Sequence, residues 1–244
     1  MSQRILLLTG ASRGIGHATG KVFADHGWRV LTLSRQEFSP RCPWLGGPEN
    51  HIQLDLGNIE HFEPGLEEIR RRLPDGRLDA LVNNAGISPK GPDGARLGVL
   101  GSTYATWLGV FNVNLFSTAL LAKGLIEQLA AAKGSIVNVT SIAGTRVHPY
   151  AGAAYASSKA ALLTLTREMA AEFAPLGVRT NAISPGEIDT AILSPGTAAF
   201  ADREVPMRRL GKPSEVASAI YFLCSEAASY VNGTELHING GQHV

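Results

Sequence analysis

An apolar run, Ile5 to Leu8, passes straight into Thr9-Gly10-Ala11-Ser12-Arg13-Gly14-Ile15-Gly16, and a helical pattern then continues to about His26. This order of strand, glycine loop and helix start constrains the fold more than any other stretch. Glycines let the backbone approach a phosphate closely, and a helix N-terminus supplies N–H groups and the positive end of a dipole. A glycine loop alone serves any tight turn; the strand before it and the helix after it make it a phosphate-binding layout.

Further strand-like runs follow at Arg29 to Leu33, Ile52 to Leu54, Leu78 to Val82, Ser135 to Val139, Val178 to Ile183 and Thr234 to Ile238. Helical patterns alternate with them: Ile59 to Leu73, about Thr103 to Ala132, about Gly152 to Ala174, a short one near Ala198 to Arg203, and Ser214 to Ser225 with Ser214 as its cap. Alternation of this kind predicts an α/β fold, a parallel sheet covered by helices on both faces. Residues 36–50 break the pattern, since Pro40, Pro43, Gly46, Gly47 and Pro48 disfavour a crossover helix and predict a loop or a single turn. With 244 residues, 44% of them hydrophobic, and no repeat or linker, 1–244 is expected to form one domain.

Charge excludes some function classes. The formal net charge is +1 with no long charge run, so neither nucleic acid nor an anionic membrane is an expected partner. Arg70-Arg71-Arg72 suits the end of its helix. Cys42 and Cys224 make no metal or redox motif and read as buried small hydrophobes. The N-terminus lacks a signal pattern, and no uninterrupted apolar stretch is long enough to span a bilayer. The expectation is a soluble, cytoplasmic protein.

Three places carry candidate chemistry. The second strand ends at Ser34-Arg35, where dinucleotide folds place either a carboxylate for a ribose 2′-hydroxyl or an Arg for a 2′-phosphate. With no carboxylate, and with Arg13 able to converge from the glycine loop, the pattern favours NADP(H), NAD(H) remaining possible. The fourth strand ends in Asn83-Asn84-Ala85-Gly86, where ligands of open α/β sheets bind. Tyr155 and Lys159 stand four residues apart, on one helical face. A nearby ammonium lowers a phenol's pKa, so the pair can hold a proton donor and the cation that tunes it. Taken alone, the pair also reads as a packed aromatic beside a solvated charge. Asn112 and Asn114, mid-helix, call for a reason.

Taken together these motifs resemble the short-chain dehydrogenases/reductases, in the branch that is a single Rossmann-type doubly wound domain. The resemblance runs from Thr9-Gly10 to Gly16 through Asp55, Asn83 to Gly86, Asn114, Ser141, Tyr155-x-x-x-Lys159, Pro185-Gly186 and Thr190. It continues in Arg209-Leu-Gly-Lys-Pro-Ser-Glu215 and Asn239-Gly240-Gly241. It implies that Tyr155 is the acid/base and that Lys159 lowers its pKa and bonds the nicotinamide ribose. Ser141 would bond the substrate oxygen, and Asn114 would hold a water of a proton relay. The implied cofactor set is Gly10, Ser12, Arg13, Gly14, Ile15, Gly16, Ser34, Arg35, Asp55, Leu56, Asn83, Asn84, Ala85, Gly86, Tyr155, Lys159, Pro185, Gly186, Ile188 and Thr190, with no metal. Within it Asp55 would meet the adenine, Asn84 and Gly86 the adenosine ribose, Ile188 the carboxamide and Thr190 the phosphates; Ser12, Arg13 and Arg35 would surround a 2′-phosphate.

The implied activity is NADP(H)-dependent interconversion of a ketone and a secondary alcohol, in a homotetramer or homodimer. The substrate stays open between 3-oxoacyl thioesters and sugar, polyol or steroid alcohols. Of the basic positions that carrier-protein reductases present for docking, only Lys133 has a counterpart here. A catalytically silent nicotinamide-binding regulator would lack the Tyr, Lys or Ser, and all three are present. Glu187 follows Pro185-Gly186 where many relatives carry an apolar residue; it either faces a polar substrate or points to solvent.

Overall fold

The computed structural model describes residues 3–38, 47–59, 62–191, 193–194 and 196–244. Seven strands form one parallel sheet: β1 (Ile5–Thr9), β2 (Arg29–Ser34), β3 (His51–Gln53), β4 (Ala80–Asn83), β5 (Ser135–Val139), β6 (Arg179–Pro185) and β7 (Glu235–Ile238). Their order across the sheet is β3-β2-β1-β4-β5-β6-β7, every pair parallel. The chain winds outward from β1 in one direction and from β4 in the other. The crevice between β1 and β4 is therefore the topological switch point where such sheets bind ligands.

Alternate residues of the strands feed two cores. Leu7, Leu31, Leu33, Leu81 and Ile136 pack with α2 (Phe62–Arg71), α4 (Ser117–Gly124), α5 (Ile126–Ala132) and α6 (Ala153–Phe173). Leu6, Leu8, Val30, Val82 and Val137 pack on the other face with α1 (Gly14–Asp25) and α8 (Pro213–Cys224). Each fully buried leucine contributes roughly 1.5–3 kcal/mol, which is why both residue sets of β1 are apolar. Cys224 belongs to the second core, as expected; Cys42 lies outside the described residues.

Several expectations need correction. The helix expected over Thr103 to Ala132 is broken into α3 (Tyr104–Phe111), a π-helical segment at Asn112–Phe116, then α4 and α5, with Leu125 between the last two. The wider π turn brings Asn114 inward, where it is 1% exposed. The cap of α8 is Lys212, not Ser214: Pro213 opens the helix and the Glu215 carboxylate accepts the Lys212 N–H at 2.7 Å. The crossover after β2 carries a single 3₁₀ turn, Pro48–Asn50, in its described part, while Pro40 and Pro43 lie outside it. The arginine run does more than suit a dipole, since Arg70 bonds the Gly124 carbonyl at 3.0 Å and Arg72 the His51 carbonyl at 2.9 Å. Finally, Tyr104–Gly124 is by length and composition alone apolar enough to cross a membrane, although Asn112, Asn114, Ser117 and Thr118 interrupt its apolar run. In this fold it lies against α6, which fixes the geometry described next.

Candidate active site

A cavity of about 590 Å³ opens at the C-terminal ends of the central strands. That volume lies within the usual range for a small-molecule or cofactor site. At one end it meets Ser34 and Arg35, after β2; at the other it meets Ser141, Tyr155 and Lys159.

The glycine loop forms the middle. Gly10 and Gly14 have φ of +69° and +57°, a region that favours glycine. Gly16 is required by packing, because a Cβ there would lie 2.2 Å from the Gly10 carbonyl oxygen. Arg13 stands at the N-cap of α1 and provides no side-chain cap, so the first-turn N–H groups face the cavity without a competing acceptor. Ser12, Arg13, Gly14 and Ile15 line it, with Thr190 against Gly14 from the opposite wall. A strongly negative pyrophosphate fits this cradle of open N–H groups and an arginine.

The acidic and amide positions behave less uniformly. Asp55 and Leu56 line the cavity, and Asp55 Oδ1 accepts the Gly57 N–H at 2.9 Å. Asn84, Ala85 and Gly86 line it too. The Asn84 amide, however, donates to the carbonyls of Thr9 (3.1 Å) and Gly10 (3.0 Å), so it ties β4 to the glycine loop. Asn83 does not reach the cavity. It is 4% exposed and donates to Asn138 at 2.9 Å, which in turn donates to Thr166 of α6. In place of the cofactor contact expected of it, Asn83 joins a buried amide ladder that links β4, β5 and α6. Pro185, Gly186 and Ile188 close the far wall.

At the other end, Ser141 stands two residues beyond β5 at the start of a 3₁₀ turn, and its Oγ accepts the Ala143 N–H at 3.2 Å, which fixes its rotamer. Tyr155 and Lys159 leave the first turns of α6 on one face, as their spacing predicts. Lys159 Nζ donates to the Val139 carbonyl at 2.6 Å and lies 5.7 Å from the Tyr155 ring centroid. Asn114 sits behind this pair. Its Oδ1 accepts the Ile87 N–H at 2.8 Å, while Nδ2 donates to the Ile87 carbonyl and to Ser158 Oγ, both at 3.0 Å. It locks the loop after β4 to α6.

The electrostatics differ from the sequence expectation in one respect. Lys159 was expected to depress the Tyr155 pKa. Here desolvation dominates and holds the phenol above its ordinary value, with Glu187 pushing the same way and Ser141 pulling it down. Tyr155 keeps part of its surface open to the cavity, but dense protein surrounds the remainder. Burial also brings Lys159 down to about 8.

Glu187 does not point to solvent. It is 7% exposed and its Oε1 takes a very short hydrogen bond from His148 Nε2. His148 was not singled out in the sequence. It lies 39 positions from Glu187, in the loop between β5 and α6, and no spacing rule links them. Lys133, the one basic residue matching the carrier-docking positions, precedes β5 and so lies at the N-terminal end of the strands, opposite the end that Tyr155 of its own chain faces.

Comparison with known proteins agrees with this geometry. A family model described as "Enoyl-(Acyl carrier protein) reductase" matches residues 10–243. Protein FixR of Bradyrhizobium diazoefficiens is 56% identical over 242 residues, 99% of this chain and 87% of that protein. The 3-oxoacyl-(acyl-carrier-protein) reductase FabG of Vibrio cholerae is 35% identical over 252 residues, covering 99% of this chain and 98% of the relative. Among solved structures, an oxidoreductase of the short-chain dehydrogenase/reductase family from Brucella ovis, in complex with a partially ordered NAD, is 55% identical. It superposes with a TM-score of 0.86 over 98% of this chain and 100% of its own. A 3-oxoacyl-(acyl-carrier protein) reductase from Brucella melitensis with bound NAD is 31% identical, with a TM-score of 0.89 over 100% and 92%. The chain belongs to the short-chain dehydrogenase/reductase family of Rossmann-fold, nicotinamide-dependent oxidoreductases.

Proposed function

We propose that the protein interconverts a ketone and a secondary alcohol with NADP(H) as the preferred cofactor. The observation that carries the reaction is the convergence of Tyr155, Lys159 and Ser141 at one end of a cavity whose other end is the glycine loop. A nicotinamide bound there would supply or accept the hydride. Tyr155 would give its Oη proton to the carbonyl oxygen, or take it from the alcohol. A phenol held above its ordinary pKa suits the donor role, hence reduction. Ser141, its hydroxyl fixed by Ala143, would bond the same oxygen where charge develops. Lys159 would bond the nicotinamide ribose, and Asn114 would hold the relay behind it in register.

Ser34 and Arg35 at the far end support NADP(H): no carboxylate stands there, and an exposed guanidinium lines the cavity. The NAD seen in the two Brucella neighbours keeps NAD(H) as the second reading. The reading also includes a cytoplasmic homotetramer or homodimer. Only a third of Tyr104–Gly124 is buried, and Leu108 and Phe116 on it are exposed. A bilayer would have to strip Asn114 from Ile87 and Ser158, so a second copy is the fitting cover.

The test is oxidation of NADPH and NADH, followed at 340 nm, over acetoacetyl thioesters, sugars and cyclic ketones. Turnover of at least one carbonyl, faster with NADPH, is expected. A chain that binds dinucleotide but reduces no carbonyl would return the silent-regulator reading.

A further inference from the structure

Three segments meet on the side of the sheet that carries Tyr155, one after each of β4, β5 and β6. The first brings Lys90, whose Nζ donates to the Tyr150 carbonyl at 2.7 Å. The second brings His148 and Tyr150; the Tyr150 N–H donates to His148 Nδ1 at 3.3 Å. The third brings Glu187 and, further on in α7 (Thr197–Glu204), Phe200, whose ring stands edge-on to His148 at 5.7 Å and to Tyr150 at 5.8 Å.

The hydrogen bonds fix a protonation pattern. His148 Nδ1 accepts from a backbone N–H, so in the neutral ring the proton sits on Nε2 and is donated to Glu187 Oε1. One carboxylate oxygen is thereby occupied. The other, Oε2, takes no hydrogen bond among the described residues and is not among the sealed, unsatisfied polar atoms, so it is open to a ligand. Glu187 lies close enough to act on the charge state of Tyr155 and of Lys90. A carboxylate held this way, with an unused oxygen and within electrostatic reach of Tyr155, disfavours an alkyl group and welcomes a donor.

We propose that Glu187 is the specificity-determining residue of the substrate chamber, its Oε2 accepting a hydrogen bond from a hydroxyl or ammonium group on the carbon next to the reacting carbonyl. His148 is the positioning residue that holds the carboxylate in that orientation. The substrate class is then an α-hydroxy or α-amino ketone, rather than a plain acyl or alkyl ketone. This deepens the ketone-reductase reading above and rests on it.

The experiment uses ketones of matched size. Hydroxyacetone, aminoacetone and 2-butanone differ in one terminal group, as do 2-hydroxycyclohexanone and 2-methylcyclohexanone. Wild type is expected to favour the donor-bearing member of a set by at least about tenfold in kcat/KM. Hydroxyacetone ahead of aminoacetone assigns a hydroxyl, and the reverse assigns an ammonium. Glu187→Leu should bring the ratio close to one by raising KM for the donor-bearing ketone far more than for 2-butanone. His148→Phe should shift the ratio in the same direction. Should Glu187→Leu fail to fold, Glu187→Gln carries the test: losing the charge should lower an ammonium preference most. A wild-type ratio near one, or a ratio unmoved by these variants, overturns the assignment while ketone reduction stands. No turnover of any member, by a chain that binds dinucleotide, removes the reductase reading and the assignment together.

Discussion

Lys159 Nζ lies 5.7 Å from the centre of the Tyr155 ring, yet its short hydrogen bond, 2.6 Å, goes to the Val139 carbonyl. At 3% exposure the ammonium is anchored in protein rather than water, and its pKa falls to about 8 from the ordinary 10.5. The sign for stability follows. Between about pH 8 and 10.5 the unfolded chain carries this proton and the folded chain does not, so stability rises with pH across that window. Below about 8 both states are protonated and the folded state bears the full cost of the buried charge. Lys159→Met should therefore stabilise the ligand-free protein at pH 7 by on the order of a few kcal/mol. It should also flatten the rise between pH 8 and 10.5. Urea unfolding at pH 7, 8, 9 and 10 checks this; parallel curves for the two proteins would contradict it.

Removing only the Tyr155 hydroxyl separates chemistry from folding. Tyr155→Phe keeps the ring on α6 and leaves the glycine loop untouched. Turnover should fall by roughly 10²–10⁴-fold, the usual size of a lost general acid. Dinucleotide affinity, read by fluorescence titration, should stay within about twofold. Near wild-type rates would show that the proton comes from elsewhere.

The cofactor's far end can be tested by charge. Arg35 is exposed at the cavity mouth, so its contact with a 2′-phosphate would be a charge-assisted bond in water-accessible surroundings. Arg35→Asp should lower kcat/KM for NADPH by about tenfold or more and bring NADH level or ahead. Wild-type KM for NADPH should rise with salt more steeply than that for NADH. Unchanged selectivity in the variant would count against the 2′-phosphate reading.

Much of this architecture was legible because its signals are local. β1, β2 and β4 are largely apolar runs, and the Tyr155–Lys159 pair needs only the helical repeat. What escaped is non-local or geometric. Asn83 and Asn84 are adjacent in sequence but point to opposite sides of a strand, and no pattern says that one joins the ladder to Asn138 while the other ties the glycine loop. The π turn that carries Asn114 inward keeps nearly the apolar repeat of an ordinary helix, so it reads as one. His148 and Glu187 meet only because the loops after β5 and β6 share an edge. The raised Tyr155 pKa depends on burial, which spacing does not report.

The tie between β4 and the glycine loop gives the last prediction. A methyl at Gly16 would sit 2.2 Å from the Gly10 carbonyl oxygen and 2.5 Å from the Asn84 amide nitrogen, both fixed by the Asn84 hydrogen bonds. Gly16→Ala must therefore push the loop away from β4 or break the bond from Asn84. A cost of about 1–3 kcal/mol is expected, with weaker dinucleotide binding, because the cradle itself moves. Asn84→Ala should weaken binding in the same way while avoiding the clash, since it leaves the two carbonyls short of a donor. Gly109 in α3 is the control. A methyl there meets nothing within 4 Å, so Gly109→Ala should stabilise by roughly 0.5–1 kcal/mol through helix propensity alone. Thermal melts with and without dinucleotide distinguish the three variants. A Gly16→Ala protein with wild-type melting and affinity would mean that the loop yields freely, and that Asn84 does not hold it.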